Sequence, residues 1–574
     1  MKFNINRLVL AIIPLVILFL SFLYTSICPY YFGNKSDPEY CYLFNSLNIL
    51  NCEMPRHTDH PGTPLQILGA VVLLGKGIIN TLSISFSVIQ TSVLRNPEDY
   101  LHAINFVLNI LICVITFLTG LKLFHHTRKL FPALILQFSL LCFSQVQVSL
   151  GRVSPEPLLV FTVLLLLLIL IPEIFVKEVL SSTQDNIVRP ILTGIVFGLG
   201  LAIKVTFFPL LFFVFIFEGA RKRILIVACC ILSFILFTIP ILPSYMRMFT
   251  WFINILMHEG YYGKGPIGLP EIGTLFSNAK SLSFGEPFLI ISFVLYLFGL
   301  MFIKYDALVR VRDAIAPVQG RVQNKRGIDS RLRGNDKKRK KATFGKAAQD
   351  GKLTIEAPLR NKIKKLLWIG CLIIFTQLIV TSKHPQLHYL LPSMVVTGIL
   401  DAGLIYLLFN NEQQSKYKLF QIAFVTGLII AFAYNIVSMK AWIQKEQEYS
   451  IATNKLLTEV KNFRQYYHYY PVGFYQSSLP EFALAFGNSF SGYHYGKELT
   501  QLYPDAVSYS VWKNVFYTFE GYIENRIVQS VIDKGIRFIL VGNPHYLKIR
   551  EGLIIKPLSV HPNEGIYRLV EIKQ

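Results

Sequence analysis

"PILTGIVFGLGLAIKVTFFPLLFFVFIF" (residues 190–217) decides how this chain is folded. A helix crossing hydrocarbon needs about 20 apolar residues, so this run is long for one crossing and short for two. Its middle holds Lys204, whose charge is costly at membrane depth, and Pro209, which cannot continue a helix. As a single crossing, the run buries a charge. As two short crossings meeting near "KVTFFP", it lifts Lys204 to a turn at one surface.

Charge elsewhere chooses between the two. Basic clusters lie at Lys2/Arg7, in "KLFHHTRK" (122–129), in "RKR" (221–223) and through residues 306–365. Basic loops stay on the cytoplasmic side. Keeping all four there forces 190–217 to cross twice. The other apolar runs are 8–27, 98–121, 131–149, 154–176, 224–243, 285–304, 366–382, 387–408 and 419–440. The expectation is a polytopic α-helical membrane protein of about 11 transmembrane helices. Its amino end is inside and its carboxyl end outside. A rival layout makes 65–82 a span and 190–217 a single crossing, but it exposes "HHTRK" outside and buries Lys76. In the preferred layout 65–90 lies along the outer interface as an amphipathic helix. The first run is followed by "SICPYYFGNK", which lacks a small-residue cleavage site, so it reads as a retained span.

Composition agrees. The chain of 574 residues is 53% hydrophobic, with a mean hydropathy of +0.46. Its net charge of +22 does not point to nucleic acid, because 306–365 alone holds 18 Lys/Arg against 6 Asp/Glu. That segment reads as a disordered cytoplasmic insert. Within it, "DSRLRGNDKK" resembles the product of a palindromic repeat inserted in frame; binding to anionic headgroups is the alternative. The expected organisation is a membrane domain over 1–440, with 28–97 as its first periplasmic loop, and a periplasmic α/β domain over 441–574. In that tail "RFILVGNP" (537–544) and "GIYRLVEI" (565–572) read as strands and 525–535 as a helix. Eight cysteines show no CxxC spacing; Cys28, Cys41 and Cys52 share one loop, where a disulfide is open.

Ionisable residues at the membrane boundary are the functional candidates. "NKSDPEYCYLFNSL" (34–47) carries Asp37 and Glu39; Ser36 with Glu39 also fits a capping box, and Pro38 suits a first turn. "GRVSPEPLLVF" carries Arg152 and Glu156, read either as a mutual pair or as site residues. "TSKHPQLHYLLPSMVV" supplies Lys383, His384, His388 and Tyr389. "RHTDHPGTPLQ" adds His57, Asp59 and His60, whose spacing is a weak metal signal against an ordinary Pro-Gly turn. Asp37, His60, Arg152, Glu156, Lys204, Lys383 and His388 all fall on the outer side in one topology. Carboxylates and cations gathered at a lipid boundary suit transfer from a lipid-linked phosphate donor.

In order, "DPEYCYLFNSL", "DHPGTPLQILG", "RVSPEPLLVF", "GLGLAIKVTFFPLL" and "HYLLPSM" resemble the GT-C superfamily of polyprenyl-phosphate-dependent glycosyltransferases. The branch it looks like is that of bacterial enzymes related to protein O-mannosyltransferases and the lipid A aminoarabinose transferase. The resemblance implies a GT-C-like fold, a bacterial inner-membrane location, an active site facing the periplasm and a polyprenyl-phosphate sugar donor. It implies Asp37 as catalytic base, followed by Tyr40 three residues on, with Glu39 a second carboxylate. Lys204, with Arg152 and Lys383, would meet the donor phosphate; His60, Tyr40, Glu156, His388 and Tyr389 would orient substrate. Relatives commonly have "HPP" where this chain has "HPG" at 60–62. The expected activity is an inverting hexosyl or pentosyl transfer to a hydroxyl of lipid A, a surface glycan or a protein. No cofactor is required by this reading, although a divalent cation is open. The rival from another class is a transporter or lipid flippase, which predicts inverted repeats; no convincing repeat is found.

Overall fold

The structure is a computed structural model. It describes residues 5–32, 36–58, 61–175, 187–259, 265–268, 271–301, 351–409, 414–466, 469–472, 480–504, 508–510, 515–523, 538–541, 553–560 and 565–571. Ten helices build the first half: α1 (Ile5–Ile27), α2 (Ser36–Leu50), α3 (Thr63–Thr81), α4 (Phe86–Arg95), α5 (Pro97–Thr127), α6 (Leu130–Phe138), α7 (Ser144–Leu150), α8 (Pro155–Phe175), α9 (Val188–Ile203) and α10 (Ala220–Phe237). Among the described residues, 7 helices are long and apolar enough to cross a bilayer, and counting three sharply bent pairs raises this to 10. The protein is a polytopic helical membrane protein.

The run at 190–217 breaks at Lys204. α9 ends at Ile203, Lys204 is extended (φ −160°, ψ 135°), and Val205–Ile216 continues as a 3-10 helix. The direction of each piece follows from glycine contacts. Gly194 of α9 lies against Ile226 and Cys229 of α10, and Gly198 lies against Cys230 and Ser233. Rising numbers meet rising numbers, so α9 and α10 run parallel. Residues 205–216 must therefore return to the starting end, spanning about 24 Å at a 3-10 rise of about 2.0 Å per residue. Pro209 sits inside that segment, where its missing N–H excludes one ordinary helical bond.

Hydrogen bonds gather several helix ends at one pole of the bundle. Glu98 of α5 bonds the backbone just beyond α1. Asn105 donates to the carbonyls of Leu150 and Arg152 at the end of α7. Lys204 at the end of α9 meets Glu156 in the first turn of α8. At the opposite pole, Arg189 pairs with Glu173 at 2.6 Å, joining the start of α9 to the end of α8.

α3 is itself long and apolar enough to span, as the rival layout requires. Its connections argue otherwise. Before it, the Gly62 N–H donates to the Ile203 carbonyl at 3.2 Å, at the Lys204 pole. After α4, Glu98 returns the chain to that same pole. α4 has 10 residues, or about 15 Å at 1.5 Å per residue, too short to recross. α3 and α4 therefore belong to that one pole. Leu82 and Ile84 between them are 92% and 80% exposed, as an apolar edge resting in lipid is.

Two boundaries drawn from sequence shift. The insert expected to be disordered over 306–365 is helical from residue 351, in Gly351–Ser382, because "RNKIKKLLW" (360–368) sets Ile363, Leu366 and Leu367 at helical spacing and buries them; residues 302–350 lie outside the described residues. The domain boundary at 440 falls inside one 53-residue helix, Gln414–Tyr466. Beyond it, among the described residues, come seven strands: β1 (Tyr469–Val472), β2 (Ser508–Ser510), β3 (Val515–Thr518), β4 (Gly521–Ile523), β5 (Phe538–Val541), β6 (Leu553–Val560) and β7 (Gly565–Glu571). They form a sheet of order β1-β5-β7-β6 and a sheet of order β2-β3-β4. β5 and β7 stand where strands were read, and the helix read at 525–535 lies outside the described residues. Helix Pro480–Ser491 packs along α2. Asn45 and Asn48 of α2 donate to the carbonyls of Phe490 and Ser491, and Tyr495 Oη donates to Asn48 Oδ1 at 2.8 Å. Among the described residues the eight cysteines form no disulfide, and Cys28 Sγ reaches Glu446 Oε2 at 3.4 Å.

Candidate functional site

The site is built at the pole where α8 begins and α9 ends. α2 presents Glu39, which is completely buried. Arg152, in the short link between α7 and α8, grips it as a fork: Nε meets Oε1, and Nη2 meets Oε2 at 3.0 Å. A planar guanidinium matches a carboxylate in this way and fixes its orientation. One turn into the next element, Glu156 takes Lys204 as its partner. The break in helix at Lys204 allows this, because an extended residue directs its side chain across to α8. Lys204 Nζ also lies 4.8 Å from the centre of the Tyr389 ring, an attractive placement for a cation over an aromatic face. His388 Nε2 stands 4.0 Å from Glu156 Oε1. The Arg152 charge is close enough to act on His388, which links the two ion pairs into one cluster.

Arg152 and Glu156 do not pair with each other: Arg152 takes Glu39 and Glu156 takes Lys204. Four charges at 39, 152, 156 and 204 form two bridges, each joining separate segments of the chain. Lys204 is 3% exposed, and Arg152 keeps 23% of its side chain accessible. Among the described residues each cation pairs with one carboxylate.

The remaining candidates scatter. Asp37 is the second residue of α2, two residues before Glu39; its side chain lies outside the described residues, as does His60. Tyr40 is fully buried, and its hydroxyl donates to Glu98 at 2.8 Å. Burial, reinforced by the Glu98 charge, holds its phenol well above the usual range, so it stays a protonated donor. Lys383 donates to the Leu256 carbonyl at 2.5 Å, a partner outside the Glu39–Lys204 cluster; burial pulls its ammonium pKa down, against the opposing charge of Glu259. His384, next to it, is lowered by burial and by Lys383. His57 sits edge-on between the rings of Tyr42 and Phe490. Among the described residues no group of three or more His, Cys, Asp or Glu could hold a metal ion.

The departure at "HPG" has a structural reason. Gly62 begins α3 with φ +64°, a conformation closed to Pro, whose ring fixes φ near −65°. A Cβ there would lie 2.6 Å from Tyr42 Oη. Two carboxylates escaped the sequence reading. Glu98 opens α5 and resembles an ordinary acid in a first helical turn. Asp401, in "TGILDAGLIYLLF", is wholly buried and accepts from Tyr296 Oη at 2.6 Å and Ser139 Oγ at 2.9 Å. An acid inside so apolar a run is itself the signal that would have found it.

A helical membrane protein with two crossed buried ion pairs at one pole of its bundle is the class these observations define. The model of glycosyltransferase family 87 matches residues 96–316, a stretch containing Glu98, Arg152, Glu156 and Lys204, and it agrees with the glycosyltransferase resemblance of the sequence. No curated protein matches the chain. Among solved structures, the chain is similar to the crystal structure of ArnT from Cupriavidus metallidurans bound to undecaprenyl phosphate, at 10% identity and a TM-score of 0.46, covering 97% of each chain.

Proposed function

We propose that this chain is an inverting glycosyltransferase that moves a sugar from a polyprenyl-phosphate donor to a hydroxyl of an envelope acceptor, on the periplasmic side of a bacterial inner membrane. The observation that carries the reading is the pair of bridges Arg152–Glu39 and Lys204–Glu156 at one pole of an apolar bundle. Eleven crossings follow if α1, α5, α6–α7, α8, α9, 205–216, α10 with its bent continuation, the pair 272–301, and the three helices at 359–382, 387–408 and 421–448 each cross once. The site pole is then opposite the basic segments, and the positive-inside preference sets it toward the periplasm. The tail beyond 466 is on that same side.

A polyprenyl chain lies against the bundle's apolar surface and leaves its phosphate at the level of Lys204. Asp37, at the start of α2, takes the proton of the acceptor hydroxyl as that oxygen forms its bond to the anomeric carbon. The bond from that carbon to the phosphate oxygen breaks, and the electron pair leaves with the polyprenyl phosphate. Its charge rises in magnitude as it departs, and Lys204 and Arg152 offset that charge. Attack from the side opposite the leaving group inverts the anomeric centre. Glu39, held by Arg152, orients the acceptor side; Glu156 and His388 set Lys204.

Asp37→Asn keeps shape and removes the base. In a deletion strain it should lower by at least a hundredfold the envelope glycan that disappears on deletion and returns with the wild-type chain, measured by mass spectrometry. Product at the wild-type level, from protein present in wild-type amount, sinks the assignment.

A further inference from the structure

Glu98 stands in the first turn of α5, yet its two oxygens are taken by another part of the chain. Oε2 accepts the Tyr30 N–H at 2.7 Å. Oε1 accepts the Tyr31 N–H at 3.0 Å and the Tyr40 hydroxyl at 2.8 Å. Tyr30 and Tyr31 belong to the segment leaving α1, whereas Tyr40 belongs to α2. One carboxylate therefore holds both ends of the stretch in which α2 begins, and Asp37 lies between the two anchor points.

We infer that Glu98 is a positioning residue: it sets the start of α2, and with it the carboxylates of that helix, through Tyr40 and the backbone of Tyr30 and Tyr31. The inference rests on the role proposed above for Asp37. Hydrogen bonds to an ionised carboxylate are about twice as strong as neutral ones, and three donors converge here. Tyr40 is a buried phenol that stays protonated, so without Glu98 its hydroxyl loses this acceptor within the protein. α5 is a long helix packed along α1 and α8, which makes it a rigid base from which to fix a short neighbouring helix. The opposite side of α2 is covered by helix Pro480–Ser491, where Gly487 abuts the Tyr40 carbonyl. Tyr40 is thus clasped at its hydroxyl by α5 and at its backbone by the tail.

The test compares wild type, Glu98→Gln, Tyr40→Phe and the double variant, each as the full chain. Hydrogen exchange in lipid nanodiscs reads the amides of residues 30–31 and, Pro38 having none, of the rest of 38–42; product is the deletion-dependent glycan, normalised to folded protein. Expected for Glu98→Gln is exchange at least tenfold faster in both windows, with helix Leu391–Phe409 unchanged, and product reduced at least tenfold. Tyr40→Phe should loosen 38–42 and leave 30–31 as in wild type, and the double variant should be no worse than Glu98→Gln, because the two share one network. Unchanged exchange and product in Glu98→Gln overturns the inference, and so do additive effects. If deletion removes no glycan at all, the glycosyltransfer reading fails, while the exchange data still decide whether Glu98 holds α2.

Discussion

Removing Lys204 as Lys204→Met tests the site most directly, since the structure sets both its stability cost and its functional cost. Lys204 is 3% exposed and its partner Glu156 12%. Deleting one member of a buried pair leaves the other uncompensated, at a cost of about 3–5 kcal/mol. Glu156 keeps 12% of its side chain accessible, so water offsets part of the orphaned charge, which puts the electrostatic loss near the lower end, about 3 kcal/mol. The contact with Tyr389 adds about 1 kcal/mol. The single variant should therefore lose about 4 kcal/mol in equilibrium unfolding by SDS in mixed micelles. Lys204→Met with Glu156→Gln removes both charges and should recover about 3 kcal/mol of that loss. It should not recover transfer, because Arg152 alone then meets the departing phosphate. A double variant as stable as expected and as productive as wild type refutes the phosphate role. A single variant within about 1 kcal/mol of wild type refutes the energetic argument.

Two further outcomes follow from the backbone. Gly62→Ala should destabilise the chain by about 2 kcal/mol, from a left-handed φ and a Cβ driven against Tyr42; the same unfolding titration checks it, and a neutral effect contradicts the geometry of that turn. Deleting residues 318–350 should leave the deletion-dependent glycan at its wild-type level in whole cells, and its loss would show that the segment has a role of its own.

The sequence made the membrane helices legible because apolar length and basic loops act through solvent, and each segment meets that solvent on its own. The break at 204 within 190–217 was readable for the same reason: a charge is costly at membrane depth. Pairing was not readable. Arg152 chooses Glu39 over Glu156 because the start of α2 is brought to it by tertiary packing, and Lys204 reaches Glu156 because α9 ends level with the start of α8. No local spacing encodes either approach. Glu98 was hidden by its position, since an acid in a first helical turn already has an ordinary reason to be there. The helix starting at 351 was missed because charge density was read as disorder, although the same lysines and arginines are good helix formers.

The contact between α2 and helix Pro480–Ser491 has a consequence for biosynthesis. Asn45 and Phe490 are 445 positions apart in the chain, so α2 is made long before the segment that meets it. Until then α2 stands at the membrane surface with one flank bare, although every bundle helix is already inserted. That flank is closed only when residues 480–491 fold back against α2.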